Sequence, residues 1–239
     1  MPVAVTGQLQ FVTEDALEPA ALRAGSALRT PRAAAVAGII FAVLLIAALV
    51  LLRLSVPANT GVAGTWLTNP SRRAAIATAL NLIPFAGIAF LWFLGVVRDR
   101  VGEREDRFFA TVFLGSGLLF VGMMFVGAAV AGGLVASQAS GSSGDGALNL
   151  GRHVTIVLVN VYAMRMAAVF MLTTVTIARR TRIVARWLTV AGLAAALLLL
   201  VAAGSIPWLE LAFPAWILAL SVDILVRRDS GPGTFAQRR

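Results

Sequence analysis

Long runs of apolar residues dominate the hydrophobic pattern of this chain. Six such runs occur, and nearly all of them reach the roughly 20 residues that a helix needs to cross a hydrocarbon core of about 30 Å. The runs are Ala33–Leu52, Ala74–Val97, Phe108–Ser137, Val154–Ala178, Trp187–Ala203 and Ile206–Val226. The pattern predicts an all-α integral membrane protein with six transmembrane helices. Because only Gly204 and Ser205 separate the last two runs, we expect a tight helical hairpin there, with Pro207 opening the last helix.

The first run has an alternative interpretation as a cleaved signal peptide. Val56-Pro57-Ala58 offers small residues of the kind found at cleavage sites. Against cleavage, a 32-residue leader containing Glu14 and Asp15 precedes the run, which is long for a signal peptide. We therefore predict that this run is retained as a membrane span.

The composition agrees with a membrane location. Of the 239 residues, 59% are hydrophobic and 13% are charged, whereas soluble domains average about 45–50% and about 25%. A soluble chain of this length has too little interior to hide so much apolar surface from water. The sequence contains no cysteine, which excludes disulfides, thiolate nucleophiles and cysteine-ligated metals.

Charge placement predicts the orientation. All 20 basic side chains are arginine, and the net charge is +9. With the N-terminus inside, fifteen arginines lie in cytoplasmic segments, four lie outside and Arg165 lies within a span, as the positive-inside rule requires. The four outside are Arg53, Arg72, Arg73 and Arg152. We predict a cell-membrane protein of the bacterial inner membrane with N- and C-termini cytoplasmic, and no nucleic-acid partner.

The spans leave little room for a separate domain. Residues 1–32 are predicted to be a cytoplasmic N-terminal segment, 33–226 a six-helix transmembrane domain and 227–239 a disordered cytoplasmic tail. Residues 138–151 are rich in Gly and Ser, which is typical of a flexible loop.

Arg165 is the strongest candidate for a functional residue. A cation at the centre of a membrane helix costs about 2.5–3.5 kcal/mol on insertion scales, so we expect it to face protein or water. Tyr162 lies on the same helical face. Glu210 and Asp223 are candidate counter-charges, each about 9–10 Å from Arg165 in depth, and the sequence does not choose between them. This pattern fits two interpretations. In one, Arg165 binds an anion or acts in gating; in the other, it forms a structural ion pair.

Two amides extend the hypothetical binding site. Asn81 lies three residues before Pro84, which removes a helical hydrogen bond and frees a backbone carbonyl. Asn160 is in the same span as Arg165. Broken transporter helices bind ions through such carbonyls. A structural kink is the simpler interpretation.

Other segments suggest partners. Small residues four apart, Ala128 with Gly132 and Ala129 with Gly133, predict close helix contacts in the third span or an oligomer face. The loop 98–107 has four bases and four acids, which suits an ion-pair network or a protein partner. By contrast, Arg179-Arg180-Thr181-Arg182 is uniformly basic and suits anionic lipid.

Enzyme signatures are missing. The chain has no Gly-rich phosphate loop, no His-Glu-x-x-His and no Gly-x-Ser-x-Gly. His153 is the single histidine, and Glu210 and Asp223 stand thirteen residues apart. We therefore expect no enzyme activity, no metal site and no cofactor. Lipid-directed catalysis by one of the two carboxylates is the least favoured alternative.

One segment resembles known sequences. Pro84-Phe85-Ala86-Gly87, Trp92-Phe93 and the junction Gly102–Phe109 lie in the stretch Leu82–Gly127. This stretch, about a fifth of the chain, resembles an uncharacterised group of multi-pass membrane proteins from high-GC Gram-positive bacteria. The resemblance implies a membrane location and brings no activity or site residues.

Two functional hypotheses follow. In the first, slightly preferred, the protein is a small transport or channel-like protein with a buried arginine site comprising Arg165, Tyr162, Asn160, Asn81, Glu210 and Asp223. In the alternative it is a non-catalytic accessory or assembly subunit of a larger membrane complex. The expected partners are the lipid bilayer and either a homo-oligomer or another membrane protein.

Overall fold

A computed structural model describes residues 31–55, 69–101, 107–139, 144–181 and 184–229. Nearly all of the predicted N-terminal segment (1–30) and residues 230–239 of the predicted tail lie outside the described residues. The described part is 94% helical and has no strands. The predicted all-α class is therefore confirmed for this part of the chain.

Seven α-helices, one π-helical segment and one 3-10 turn make up the described residues. In chain order they are α1 (Pro31–Ser55), α2 (Pro70–Val101), α3 (Arg107–Ala139), α4 (Asp145–Ile156), the π-helical segment (Val157–Ala163), α5 (Met164–Thr181), α6 (Arg186–Ala202), the 3-10 turn (Leu209–Leu211) and α7 (Ala212–Asp229). Helix α4, the π-helical segment and α5 follow one another without a break.

Five stretches of the described helices are long and apolar enough to cross a membrane. They are Arg32–Ser55, Pro70–Arg98, Phe108–Ala139, Gly146–Arg179 and Leu209–Val226. Helix α6 is also apolar but has only 17 residues. The protein thus has the architecture of a multi-pass membrane protein.

The helices form a closed ring. Helix α1 packs against α2 and α7, α3 packs against α2 and α5, and α6 packs against α5 and α7. Inside the ring, the helices meet at seven phenylalanine side chains with at most 1% of their surface exposed. These are Phe41, Phe90, Phe93, Phe113, Phe120, Phe170 and Phe213, and together we call them the aromatic core.

The rings of the aromatic core contact one another directly. Centroid distances include 4.7 Å for Phe41–Phe90, 4.8 Å for Phe113–Phe170 and 4.9 Å for Phe120–Phe213. Offset and edge-to-face pairs at such distances are favourable beyond their burial, by about 0.5–1.5 kcal/mol in double-mutant cycles. Apolar rings from five helices therefore fill the middle of the bundle.

The prediction of a flexible loop at 138–151 is largely wrong, because most of these residues are helical. Helix α3 continues to Ala139 and α4 starts at Asp145. Leu148 is buried, and a Cβ placed on Gly151 would lie within 3.1 Å of the side chain of Leu134. The hairpin is held by these contacts, which a Gly- and Ser-rich composition does not reveal.

The turn before α7 is longer than expected. Helix α7 begins at Ala212 rather than at Pro207. Two residues in the turn have left-handed backbone, Gly204 with φ 81° and Trp208 with φ 69°. A left-handed tryptophan interrupts a right-handed helix, so the short 3-10 turn that contains Glu210 stands between Pro207 and α7.

Candidate functional site

Arg165 lies on the outside of the bundle, whereas the sequence led us to expect that it faces protein or water. Its neighbours Ala163, Met164, Ala167 and Ala168 are all buried, whereas the Arg165 side chain is exposed. Helix α5 is enclosed by α3 on one side and α6 on the other. Only a narrow stripe of α5 remains accessible, and Arg165 stands on that stripe.

The exposed surface around Arg165 is narrow and mostly apolar. Val169, Leu172 and Thr176 continue the accessible stripe toward the end of α5 and are half-buried. The Thr176 hydroxyl donates a hydrogen bond to the Leu172 carbonyl at 2.8 Å, so it needs no external partner. Arg165 is thus a charged group followed by three uncharged residues along this stripe, and the next charge on the stripe is the exposed Arg179 near the end of α5.

Arg165 lies deep along the predicted span. It is fourteen residues before Arg179, a distance of about 21 Å along an α-helix. If Arg179 marks one boundary of a core about 30 Å thick, the Cα atom of Arg165 lies about 9 Å from the other boundary. Among the described residues, none forms an ion pair or hydrogen bond with this side chain.

Neither candidate carboxylate pairs with Arg165. Oε1 of Glu210 lies 3.7 Å from an Arg53 guanidinium nitrogen, and the Glu210 side chain is only 10% exposed. The Arg53 guanidinium also sits over the Trp208 ring at 5.7 Å from its centroid, which is a cation–π contact. One oxygen of Asp223 accepts a hydrogen bond from the Ala185 backbone N–H at 3.4 Å.

The remaining candidate residues do not form one polar site. Asn81 is exposed on α2, and Tyr162 is half-exposed on the π-helical segment. Asn160 is half-buried, and its backbone carbonyl lies near the turn at Gly204. The hypothetical site therefore does not assemble, because Asn81, Tyr162 and Arg165 are exposed. Glu210 and Asp223 have other partners.

The backbone changes its hydrogen-bonding pattern immediately before Arg165. The π-helical segment has seven residues and ends at Ala163, two residues before Arg165. Such segments are uncommon and frequently occur at functional sites. The hydrophobic pattern of the sequence did not predict this segment.

Two features of the described residues were not predicted from the sequence. The first is the Arg53–Glu210 pair, which joins α1 to the 3-10 turn. The sequence places both residues at the same predicted membrane boundary, and this shared position is the feature that could have indicated the pair. A cavity of about 370 Å³ lies between α5 and α6, lined by both charged and apolar residues. The sequence showed that this region is rich in arginine, but it did not show that some of these arginines line a cavity.

An apolar groove of about 700 Å³ lies on the outside of the ring between α1 and α2. Val36, Ile40, Phe85 and Trp92 contribute exposed apolar surface, and Arg32 lies at one end. A groove of this composition facing the bilayer suits acyl chains.

Comparison of the chain with protein-family models, with curated proteins and with solved structures gave no significant match.

Proposed function

We propose that this protein is a non-catalytic subunit of a membrane complex and that it docks against a partner helix through the face of α5 carrying Arg165. One observation supports this proposal: the Arg165 side chain is exposed, has no partner among the described residues and extends from a backbone position well inside a predicted membrane span. A partner that supplies a negative charge would offset the cost of keeping this cation in the membrane.

The charge of the site favours a foreign partner over a second copy of this chain. The two carboxylates in the predicted spans are already engaged, Glu210 with Arg53 and Asp223 with the Ala185 backbone. Within the described spans, a second copy therefore offers neither of these two carboxylates to Arg165 without breaking an existing contact. We propose that the partner carries an Asp or Glu on a membrane helix at matching depth.

The aromatic core favours the subunit role over a channel. A hydrophilic path through the ring would need polar groups where the rings of Phe41, Phe90 and Phe213 now touch. The polar residues first assigned to such a path, Asn81, Tyr162 and Arg165, are instead exposed on the bundle surface. Transport remains the second candidate, favoured by the π-helical segment beside Arg165.

We also propose a membrane topology for the subunit. We infer that α6 also crosses the bilayer, which gives six spans and places both termini in the cytoplasm of a bacterial cell. Its 17 residues are at the lower end of the range for membrane helices. The exposed Trp187 beside Arg186 suits the membrane–water interface.

Replacing Arg165 tests the subunit role. The chain is extracted in mild detergent at native expression, and the particle mass and every co-purifying chain are determined. We expect the wild type to carry a stoichiometric foreign membrane protein and Arg165→Leu to lose most of it while keeping its yield and melting temperature. Leucine conserves the apolar surface, so only the charge is removed.

Arg72→Leu is the matched control, because Arg72 is an exposed arginine near the start of α2. It should retain the partner in full. A wild-type particle that contains this chain alone, or an Arg165→Leu particle with unchanged partners, would contradict the subunit proposal. The first of these outcomes would favour transport.

A further inference from the structure

A charged cavity opens between α5 and α6 at the arginine-rich end of the bundle. Its volume is about 370 Å³, and Arg179 and Arg186 contribute its charge. Arg179 lies near the end of α5 and Arg186 is the first residue of α6, and both line this one cavity. Both side chains are exposed, and neither has an ion-pair or hydrogen-bond partner among the described residues.

The cavity changes from charged to apolar along α6. Thr189, Val190 and Leu193 line it below Arg186. Leu193 is seven residues from Arg186, which corresponds to about 10 Å along the helix axis. A ligand that fits must therefore present an anion at the membrane surface and an apolar portion about 10 Å deeper.

The charged residues nearest to the cavity along α5 and α6 are all basic. Between Arg165 and Glu210 the sequence has no acidic residue, and Arg180 and Arg182 lie in the same segment. Asp223 approaches this region, but its carboxylate accepts from the Ala185 N–H and it is not among the residues lining the cavity. The mixed loop 98–107, with equal numbers of acids and bases, has no comparable surplus of positive charge.

We propose that this cavity is a binding site for one anionic phospholipid. The phosphate is held between the guanidinium groups of Arg179 and Arg186, which are suited to bidentate contacts with phosphate oxygens. The first methylenes of the acyl chains lie along Val190 and Leu193. Basic pockets between membrane helices on the cytoplasmic side are typical places for anionic headgroups, and the apolar depth distinguishes a lipid from a free phosphate ion.

The proposal is tested by native mass spectrometry of the full chain released from neutral detergent with added lipid. The probes are phosphatidylglycerol, which is anionic, phosphatidylcholine, which is zwitterionic, and inorganic phosphate. We expect one phosphatidylglycerol to be retained in clear preference to phosphatidylcholine. Since each arginine near a membrane surface strengthens binding by about five- to sixfold, the double variant Arg179→Gln/Arg186→Gln should bind roughly 30-fold more weakly.

Two further variants keep the test informative. Arg98→Gln removes an exposed arginine from α2 and should leave retention unchanged. Leu193→Trp fills the apolar end of the cavity without changing any charge, and it should also displace the lipid. This second variant gives an answer even if the double variant fails to fold.

Three outcomes would overturn the proposal. Equal retention of phosphatidylglycerol and phosphatidylcholine would show that charge is not recognised. An equal loss in Arg98→Gln and in the double variant would show a general charge effect without a site. Displacement of the lipid by millimolar inorganic phosphate, with Leu193→Trp unaffected, would identify a site for the soluble ion. The proposal does not depend on the partner assigned to Arg165.

Discussion

Arg53 and Glu210 connect two elements that are far apart in the chain. Arg53 is near the end of α1, and Glu210 is in the 3-10 turn before α7. The Arg53 side chain is 36% exposed, whereas the Glu210 side chain is 10% exposed. Arg53 is partly solvated, whereas Glu210 is not. We therefore expect the contact to stabilise the protein mainly because it gives the buried Glu210 carboxylate a partner.

Removing Arg53 alone should therefore destabilise the bundle. We expect Arg53→Leu to lower the free energy of unfolding by about 1–3 kcal/mol, since Glu210 is left buried without its counter-charge. Adding Glu210→Gln to this variant should recover most of the loss, because no buried charge remains. Unfolding in mixed detergent micelles, followed by circular dichroism, measures both. If the double variant were less stable than Arg53→Leu, this interpretation of the pair would be wrong.

Arg165 illustrates which properties of a single residue the sequence alone can predict. Its position within a span and the cost of its charge were readable from the run that contains it. The direction of its side chain was not, because every helix has several faces and the neighbours decide which of them stays accessible. Helices α3 and α6 cover the flanks of α5, and the stripe left open is the one that carries the arginine.

Glycines decide which helices approach closely. On α3, a Cβ at Gly127 would lie 2.6 Å from Cγ2 of Val159, and one at Gly117 would lie 3.0 Å from Cδ1 of Leu94. Gly133 has nothing within 4 Å of the same position, although the spacing of small residues predicted a contact there. Small-residue spacing thus identified α3 as a packing helix but not which of its glycines pack.

Two alanine substitutions on α3 should separate the roles of its glycines. We expect Gly127→Ala to lower the melting temperature, because the β-branched Val159 has little freedom to move away from the added methyl group. Gly133→Ala serves as the control on the same helix. It should be neutral or stabilising by up to about 1 kcal/mol, as alanine is the better helix former. Equal effects of the two substitutions would show that Gly127 is not a close contact.

The membrane topology is a property of the whole molecule and can be tested cleanly. The natural chain contains no cysteine, so each introduced cysteine is a single reporter. We expect a membrane-impermeant maleimide to label Ser71→Cys and Ser205→Cys in intact cells of a bacterial expression host. Arg98→Cys should react only after the cells are permeabilised, because it lies at the predicted cytoplasmic boundary.

Ser205 is the decisive position in that experiment, because it lies in the turn between α6 and α7. If α6 did not cross the bilayer, Ser205 would lie on the same side as Arg186 and would react like Arg98→Cys. That result would leave five spans and would move the two ends of the described bundle to opposite sides of the membrane.

The sequence by itself determined the kind of protein and the approximate positions of its helices. Apolar runs near 20 residues have few ways to satisfy their backbone in a bilayer other than by forming helices. For this reason the runs beginning at Ala33, Ala74 and Phe108 became α1, α2 and α3, each extended by a few residues. Nothing comparable constrains which side of each helix faces its neighbours.

Only the tertiary structure decided what lies inside and what remains outside. It brought Phe41, Phe90 and Phe213 from three helices into one aromatic core and left Arg165 on the surface. It also paired Glu210 with Arg53 and placed Arg179 beside Arg186 at one cavity. These outcomes depend on contacts between residues far apart in sequence, and membrane helices that are apolar on nearly every face carry little periodic signal to indicate them.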